Sequence, residues 1–442
     1  MQIEKSEKSP VELELRVEIP AEEMAKRVEE MLSEVASKAV VPGFRRGHVP
    51  RKIIWQRLSE AITADAVEKS LQDYYKAALR ETGIEPVSPG TMEDVGYKSG
   101  EPLVFKVTVE KAPDFELPNI SDVSVELEEP RISEEDVLEA IDHLRENQAV
   151  LAPTNEPIGE DSVLTVDLQE LDPSGLPIIG RAQRDIQIDM RRNPLGKDFA
   201  SRVIGAKEGA HVRLTLSTDA RSEKDKSAST LDIGVKSVRR KELPPFDDDF
   251  AASMNPNTPT AQALKDDMRR SLSARAYALA RRKMHNQLIE RLLRMVDFPV
   301  PPRMLDEHLE RIAREALGEE KDGDSGKPEQ IEQLKQLKEE YRALAIRSIR
   351  WHFLRQKFVA VHGLEASDED LQREFEALAQ VSGKSRREIE SSQTAKERRH
   401  DLHEAITDRK LFGFLEKQAK VIPVPVDLAT LEGRGPQRIV MP

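Results

Sequence analysis

A chain of 442 residues has room for about three domains. With 34% charged residues, only 4% aromatics and a mean hydropathy of -0.57, it reads as soluble and helix-rich, short of the aromatics that several dense cores would need. Its 68 Lys and Arg against 81 Asp and Glu give a net charge of -13, which excludes attraction of the whole molecule to nucleic acid and leaves only a local patch; the lack of cysteine excludes disulfides, thiolate metal sites and thiol nucleophiles.

Met1-Gln2-Ile3-Glu4-Lys5 has no apolar run, so no signal peptide is expected, and no uncharged stretch is long enough to span a membrane. A cytoplasmic location follows as the expectation. Residues 11–18 alternate strictly between apolar and polar, the pattern of a strand with one buried face. Pro20 then opens a helix whose Met24, Val28, Met31, Leu32, Val35 and Ala39 recur every three or four residues. Pro50 suits the first turn of a second helix, with Ile53, Ile54, Leu58, Ile62, Val67, Leu71, Tyr74 and Ala78 as its apolar stripe and Gly83 as its stop. Leu103, Phe105, Val107 and Val109 alternate again. Strand, helix, loop, helix and strand make a compact α+β unit with a helical hairpin. A helix of some thirty residues is about 45 Å long, so the hairpin holds its loop well away from the sheet.

That loop is Pro42-Gly43-Phe44-Arg45-Arg46-Gly47-His48-Val49-Pro50. Glycine tolerates positive φ and proline fixes φ, so the stretch reads as a tight projecting turn. Phe44 stands at its tip as an apolar plug beside Arg45 and Arg46, whose planar forks suit phosphate or carboxylate. From Lys38 to Arg57 the ionised side chains are all basic: Lys38, Arg45, Arg46, Arg51, Lys52 and Arg57. Two readings follow: a solvated turn with incidental basic flanks, or a docking loop for RNA or an acidic protein surface.

Residues 114–129 are extended and acidic, and Ser133-Glu134-Glu135-Asp136 caps a helix running towards Asn147. Ser367-Asp368-Glu369-Asp370 opens another helix in the same way, which is shared capping grammar rather than a repeat. Between 153 and 239 the pattern changes to short strands, at 162–168, 185–190, 211–216 and 230–238, with a short helix near 197–204. Beyond Lys241 the chain is almost wholly helical, at 258–295, 305–317, 331–361, 371–380 and 396–421. Long helices joined by Pro- and Gly-rich corners make arms and open bundles rather than one spherical core. Residues 423–442, with four prolines and little periodicity, read as a disordered tail.

No phosphate-binding Gly-x-x-x-x-Gly-Lys-Ser/Thr occurs, since Ser382-Gly383-Lys384-Ser385 lacks the earlier glycine. His400 and His403 lie three apart on a helix without a third ligand, so they read as a solvated face and no metal or other cofactor is expected. Trp55 and Trp351 read as packing residues on long helices. Met268, Met284, Met295 and Met304 read equally well as core or as adaptable apolar surface.

The Gly43-Phe44-Arg45-Arg46-Gly47 turn, set between two long amphipathic helices, resembles the ribosome-docking loop of the trigger factor family. Two later stretches are similar to that family as well: 242–250, Glu-Leu-Pro-Pro-Phe-Asp-Asp-Asp-Phe, at the entry to its C-terminal domain, and Asp297-Phe298-Pro299-Val300-Pro301 between later helices. The resemblance implies a multidomain α+β fold: an N-terminal domain with a projecting hairpin (1–113), a linker and helix (114–152), an FKBP-like β-rich domain (153–240), an elongated all-α domain with arms (241–422) and the tail. It also implies an ATP-independent chaperone that docks on the large ribosomal subunit, protein and rRNA, near the exit tunnel. Its clients would be nascent and unfolded polypeptides; a homodimer off the ribosome is part of the same implication.

The FKBP-type domain of the family is a prolyl isomerase with an aromatic-lined pocket. Here Phe199 is the one aromatic between 153 and 239, Ile186 and Leu231 stand where the family has Phe, and Thr218 to Lys226 holds no Tyr or Phe. Phe199, Ile186, Leu231, Val203 and Ile204 are therefore the expected pocket walls, in a pocket of weakened chemistry. The alternative to the chaperone is an isomerase with helical extensions for substrate capture; a helical scaffold with an RNA-binding tip is a third.

Overall fold

The structure, a computed structural model, describes residues 1–39, 44, 49–172, 175–192, 196–217, 228–317, 328–383 and 395–434. These form two compact units, one from Met1–Glu126 with Lys283–Ile422 and the other from Leu127–Arg282 with the segment from Pro423 on.

In the first unit, β1 (Gln2–Ser9), β2 (Glu12–Ile19), β3 (Thr91–Gly96) and β4 (Leu103–Glu110) make an antiparallel sheet in the order β1-β2-β4-β3. The register sets Leu13, Leu15, Val17 and Ile19 opposite Val109, Val107, Phe105 and Leu103, so both alternations bury on one face. Helices α1 (Ala21–Lys38) and α2 (Arg51–Thr82) begin after Pro20 and Pro50, and α2 stops at Gly83 in the left-handed conformation. Their sheet-proximal residues, Met24, Leu71, Tyr74 and Ala78, complete the sheet core. Farther along, Leu32, Val35, Ile54, Ile62 and Trp55 form a second cluster that belongs to the hairpin alone. Strand β1 was not foreseen. It pairs with β2 from the edge of the sheet, and apart from Ile3, which packs on the core, its side chains are polar or charged and mostly exposed, so no alternation announces it.

From β5 (Ser124–Arg131), which begins in the first unit, the chain enters the second with α3 (Glu134–Asn147), whose Ser133 makes the expected capping box with Asp136. An antiparallel sheet follows from β6 (Val150–Pro153), β7 (Ser162–Leu171), β8 (Pro177–Asp189), β9 (His211–Ser217) and β10 (Ala228–Glu242), with α4 (Lys197–Val203) against it. Its core holds Leu164, Val166, Ile188, Phe199, Val203 and Ile233. Strand β8 begins eight residues ahead of the expected 185 because its first half is an exposed edge without alternation. Beyond it come α5 (Asp248–Met254), capped by Asp247, and α6 (Ala261–Arg294), whose residues up to Arg282 belong to this unit.

The remaining helices are α7 (Pro302–Leu317), α8 (Pro328–His362), α9 (Asp368–Ser382) and α10 (Ala395–Gln418). Within the first unit the start of α7 is tied to the sheet by Glu110, the last residue of β4 and itself buried. Its carboxylate accepts the backbone N–H groups of Arg303 (2.6 Å) and Met304 (3.1 Å) and the Ser88 hydroxyl (2.8 Å). Those are the donors that a helix N-terminus leaves open, and a carboxylate there also meets the positive end of the helix dipole. Phe115 stacks on Phe298 at 4.1 Å between ring centres, and the Lys357 ammonium sits over Phe115.

The tail expectation fails for its first part. Residues 420–427 form β11 (Lys420–Asp427), paired with β5, and α11 (Leu428–Leu431) follows, burying Val426, Leu428 and Leu431 against α6 side chains such as Ala276 and Ala280. The last helix therefore ends at Gln418, short of 421. Pro423 and Pro425 forbid a helix but are tolerated in an edge strand, where a missing N–H costs no ladder bond. Residues 435–442 lie outside the described residues.

Candidate functional site

The hairpin cluster packs together the two helices that flank the basic stretch. On one side α1 contributes Leu32 and Val35; on the other Val49, 6% exposed, is fastened into the same cluster as Ile54 of α2. Phe44 is 41% exposed on a bend between them. A large aromatic side chain with that much free surface contributes little to a core. Gly43, Arg45, Arg46 and Gly47 lie outside the described residues.

The flanking charge is narrower than the sequence implies. Lys38 donates to Glu34 at 2.8 Å, and the hydrogen bond and charge of Lys38 hold that carboxyl below its ordinary range. Arg51 donates to Glu29 of α1. Sequence counting missed both, because the acids lie outside the window from 38 to 57 and only helix packing brings Glu29 to Arg51. Lys52 and Arg57 have no carboxylate within 4.0 Å among the described residues.

The five expected pocket walls do not share one environment. Phe199 and Val203 are completely buried on the inner face of α4, within the core of the sheet. Ile186 and Leu231 are half-buried against that core, while Ile204 is 44% exposed and lies outside the cluster. Phe199 thus has no free face to offer a substrate. The stretch from Thr218 to Lys226 lies outside the described residues.

The helices carry apolar surface as well as core. Met284 is buried, whereas Met295, Ile331, Leu344 and Val361 are 44–61% exposed on α6 and α8 or just beyond α6. Trp351 is a packing residue, its ring stacked 6.0 Å from that of Phe412. His403 stands beside Glu404, which Arg355 engages at 2.7 Å together with Asp408 at 2.6 Å. Among the described residues no helix is long and apolar enough to cross a membrane.

Two family models match the chain: the bacterial trigger factor protein over residues 1–144 and the bacterial trigger factor C-terminus over residues 260–416. The trigger factor of Carboxydothermus hydrogenoformans is 25% identical over 433 residues, spanning 96% of this chain and all of that one. The Salinibacter ruber trigger factor is 28% identical over 386 residues, 84% of this chain and 83% of its own. A solved structure, described as showing promiscuous substrate recognition in the folding and assembly activities of the trigger factor chaperone, superposes with a TM-score of 0.50 over 94% of this chain and 99% of its own. At 20% identity that likeness speaks for the fold alone. With the two models together matching well over half of its residues, the chain belongs to the trigger factor family of ribosome-associated chaperones.

Proposed function

We propose that this chain docks on the large ribosomal subunit near the exit tunnel through Phe44, Arg45 and Arg46, with Gly43 and Gly47 shaping the turn, and there shields nascent polypeptide without ATP. One observation carries the reading: Phe44 is exposed at the turn of a hairpin whose two helices have their own apolar cluster. Such a tip is free to bind because the fold does not consume it. Residues 1–113 are assigned the docking role and 241–422 the holding of clients, on dispersed apolar positions such as Leu344 and Val361. Replacing Phe44, Arg45 and Arg46 together by alanine should abolish co-sedimentation with ribosomes and leave the fold unchanged. Wild-type binding should weaken as salt rises, since phosphate contacts release counterions. Co-sedimentation of the triple variant at the wild-type level would refute the assignment.

The family's isomerase activity is assigned a minor role here. An isomerase of this type must hold the twisted amide in a dry, shaped pocket against a barrier of roughly 18–20 kcal/mol, so its pocket walls are the catalyst. Phe199, the one aromatic of the segment, is wholly buried, and Ile186 and Leu231 offer half-buried aliphatic surface. A protease-coupled peptide assay on the full chain should find little acceleration. Rates matching an aromatic-lined relative would overturn that.

A further inference from the structure

Helix α6 concentrates cations in a chain that is acidic overall, with nine Lys and Arg against Asp266, Asp267 and Glu290. Its early cations are neutralised within the fold. Lys265 and Arg269 bind Glu134, and Arg270 binds Asp267. Arg275 and Arg282 differ: both are exposed, and among the described residues neither has a carboxylate within 4.0 Å. They are seven residues apart, so they share one stripe of the helix at a separation of about 10 Å. Ala278 and Leu279 lie between them. These four line an open groove of ≈ 610 Å³ with Glu432 and Arg434, which follow α11. Arg434 is already paired with Glu432 and Glu139, which leaves the uncompensated charge of the groove on Arg275 and Arg282.

We propose that this groove is a docking surface for an extended polypeptide segment that carries two carboxylates three residues apart with aliphatic side chains between them. In a polyproline-II-like extended segment three residues advance about 9 Å and return the side chain to the same face, which matches the stripe and spacing of the two arginines. A guanidinium takes a carboxylate through two parallel hydrogen bonds, and Ala278 and Leu279 supply an apolar floor for the intervening side chains. RNA fits less well. Among the described residues no aromatic side chain lines the groove for a base to stack on, and Glu432 within it opposes a continuous phosphate backbone while leaving room for discrete acids. The inference goes beyond the docking reading, since it uses other residues and holds whether or not Phe44 engages the ribosome.

The test uses the full chain and fluorescence anisotropy with three labelled probes: a short peptide with a Glu-Leu-Ala-Glu core, its Gln-Leu-Ala-Gln counterpart, and a single-stranded RNA. The acidic peptide should bind, and more weakly as salt rises. Binding should fall about tenfold in the Arg275→Gln/Arg282→Gln variant and in the glutamine peptide, as expected for losing two partly exposed ion pairs. Arg270→Gln, whose cation is already paired, should bind like the wild type, with circular dichroism showing each variant folded. Unchanged peptide binding by the double variant, or no binding by the wild type, overturns the proposal. So does loss of RNA binding in the double variant when the peptide is never bound. Ribosome co-sedimentation by the double variant should stay at the wild-type level, which keeps failure here distinct from failure of the docking assignment.

Discussion

Two sheet-bearing regions of this molecule each possess one telling phenylalanine, and they treat it oppositely. In the N-terminal region Phe44 hangs from a helical hairpin, 41% exposed, while Phe105 and its neighbours make the sheet core. In the 153–240 region Phe199 is the sole aromatic and is 0% exposed, packed by α4 into the sheet. The lesson concerns allocation. A region with separate aromatics for core and tip can leave one for a partner. A region with a single aromatic gives it to the core, because burying a Phe side chain is worth about 1.5–3 kcal/mol to the fold.

The sharpest way to break this comparison is to truncate both side chains. Phe199→Ala should cost about 3–5 kcal/mol in denaturant unfolding of its domain, through lost burial and a residual cavity. Phe44→Ala should stay within about 0.5 kcal/mol, as an exposed substitution does. Equal effects would show that exposure does not separate the two roles.

A second test asks whether the buried groups of the N-terminal region are fully taken up by its fold, as the comparison requires. Glu110→Ala strips the acceptor from the Ser88 hydroxyl and from two N–H groups at the start of α7, and should destabilise by about 1–3 kcal/mol. Amide exchange at Arg303 and Met304 should accelerate. Unchanged exchange there would mean that water or another group serves α7 equally well.

The two sheets also differ in how tightly they close over glycine. A Cβ at Gly90 would lie 2.7 Å from the Tyr75 hydroxyl and 2.8 Å from a Val107 methyl, whereas one at Gly234 would meet the His211 ring edge at 3.1 Å. Gly90→Ala should therefore cost roughly 1–2 kcal/mol, by forcing core side chains apart. Gly234→Ala should cost less, because a cross-strand ring can tilt. The reverse order in thermal unfolding would contradict the packing described.

The smallest expected effect lies on the surface of the helical region and depends on pH. Asp370 accepts from Lys410 and closes the capping box with Ser367, and these bonds hold its carboxyl well below the ordinary aspartate range. A depressed folded-state value means that the contribution is complete above the unfolded value of about 3.9 and is lost as pH falls below it. The α9 amides should lose protection below about pH 4 in the wild type. Asp370→Asn should flatten that dependence, and a variant with an unchanged acid profile would remove Asp370 as its source.

Much of the fold was open to reading from local pattern. Alternation over 11–18 and 103–109, apolar spacing along α1 and α2, the serines at 133 and 367 and the stop at Gly83 all became the elements they signalled, because each depends on side chains a few residues apart. The break between α1 and α2 was legible in the same way, from Gly and Pro within one short stretch. The amino-acid sequence by itself thus determined the class of each long element and the chemistry available at the tip. Tertiary structure decided the rest. Edge strand β1 and the first half of β8 have too few buried positions to give a period to read, and β11 exists only because β5, nearly 300 positions earlier, offers it a partner. Whether Phe199 faces a substrate or a core, whether Arg51 is free or held by Glu29, and what Glu110 caps are all set by groups remote in sequence. Burial and charge compensation are properties of neighbours in space, and a linear pattern does not contain them.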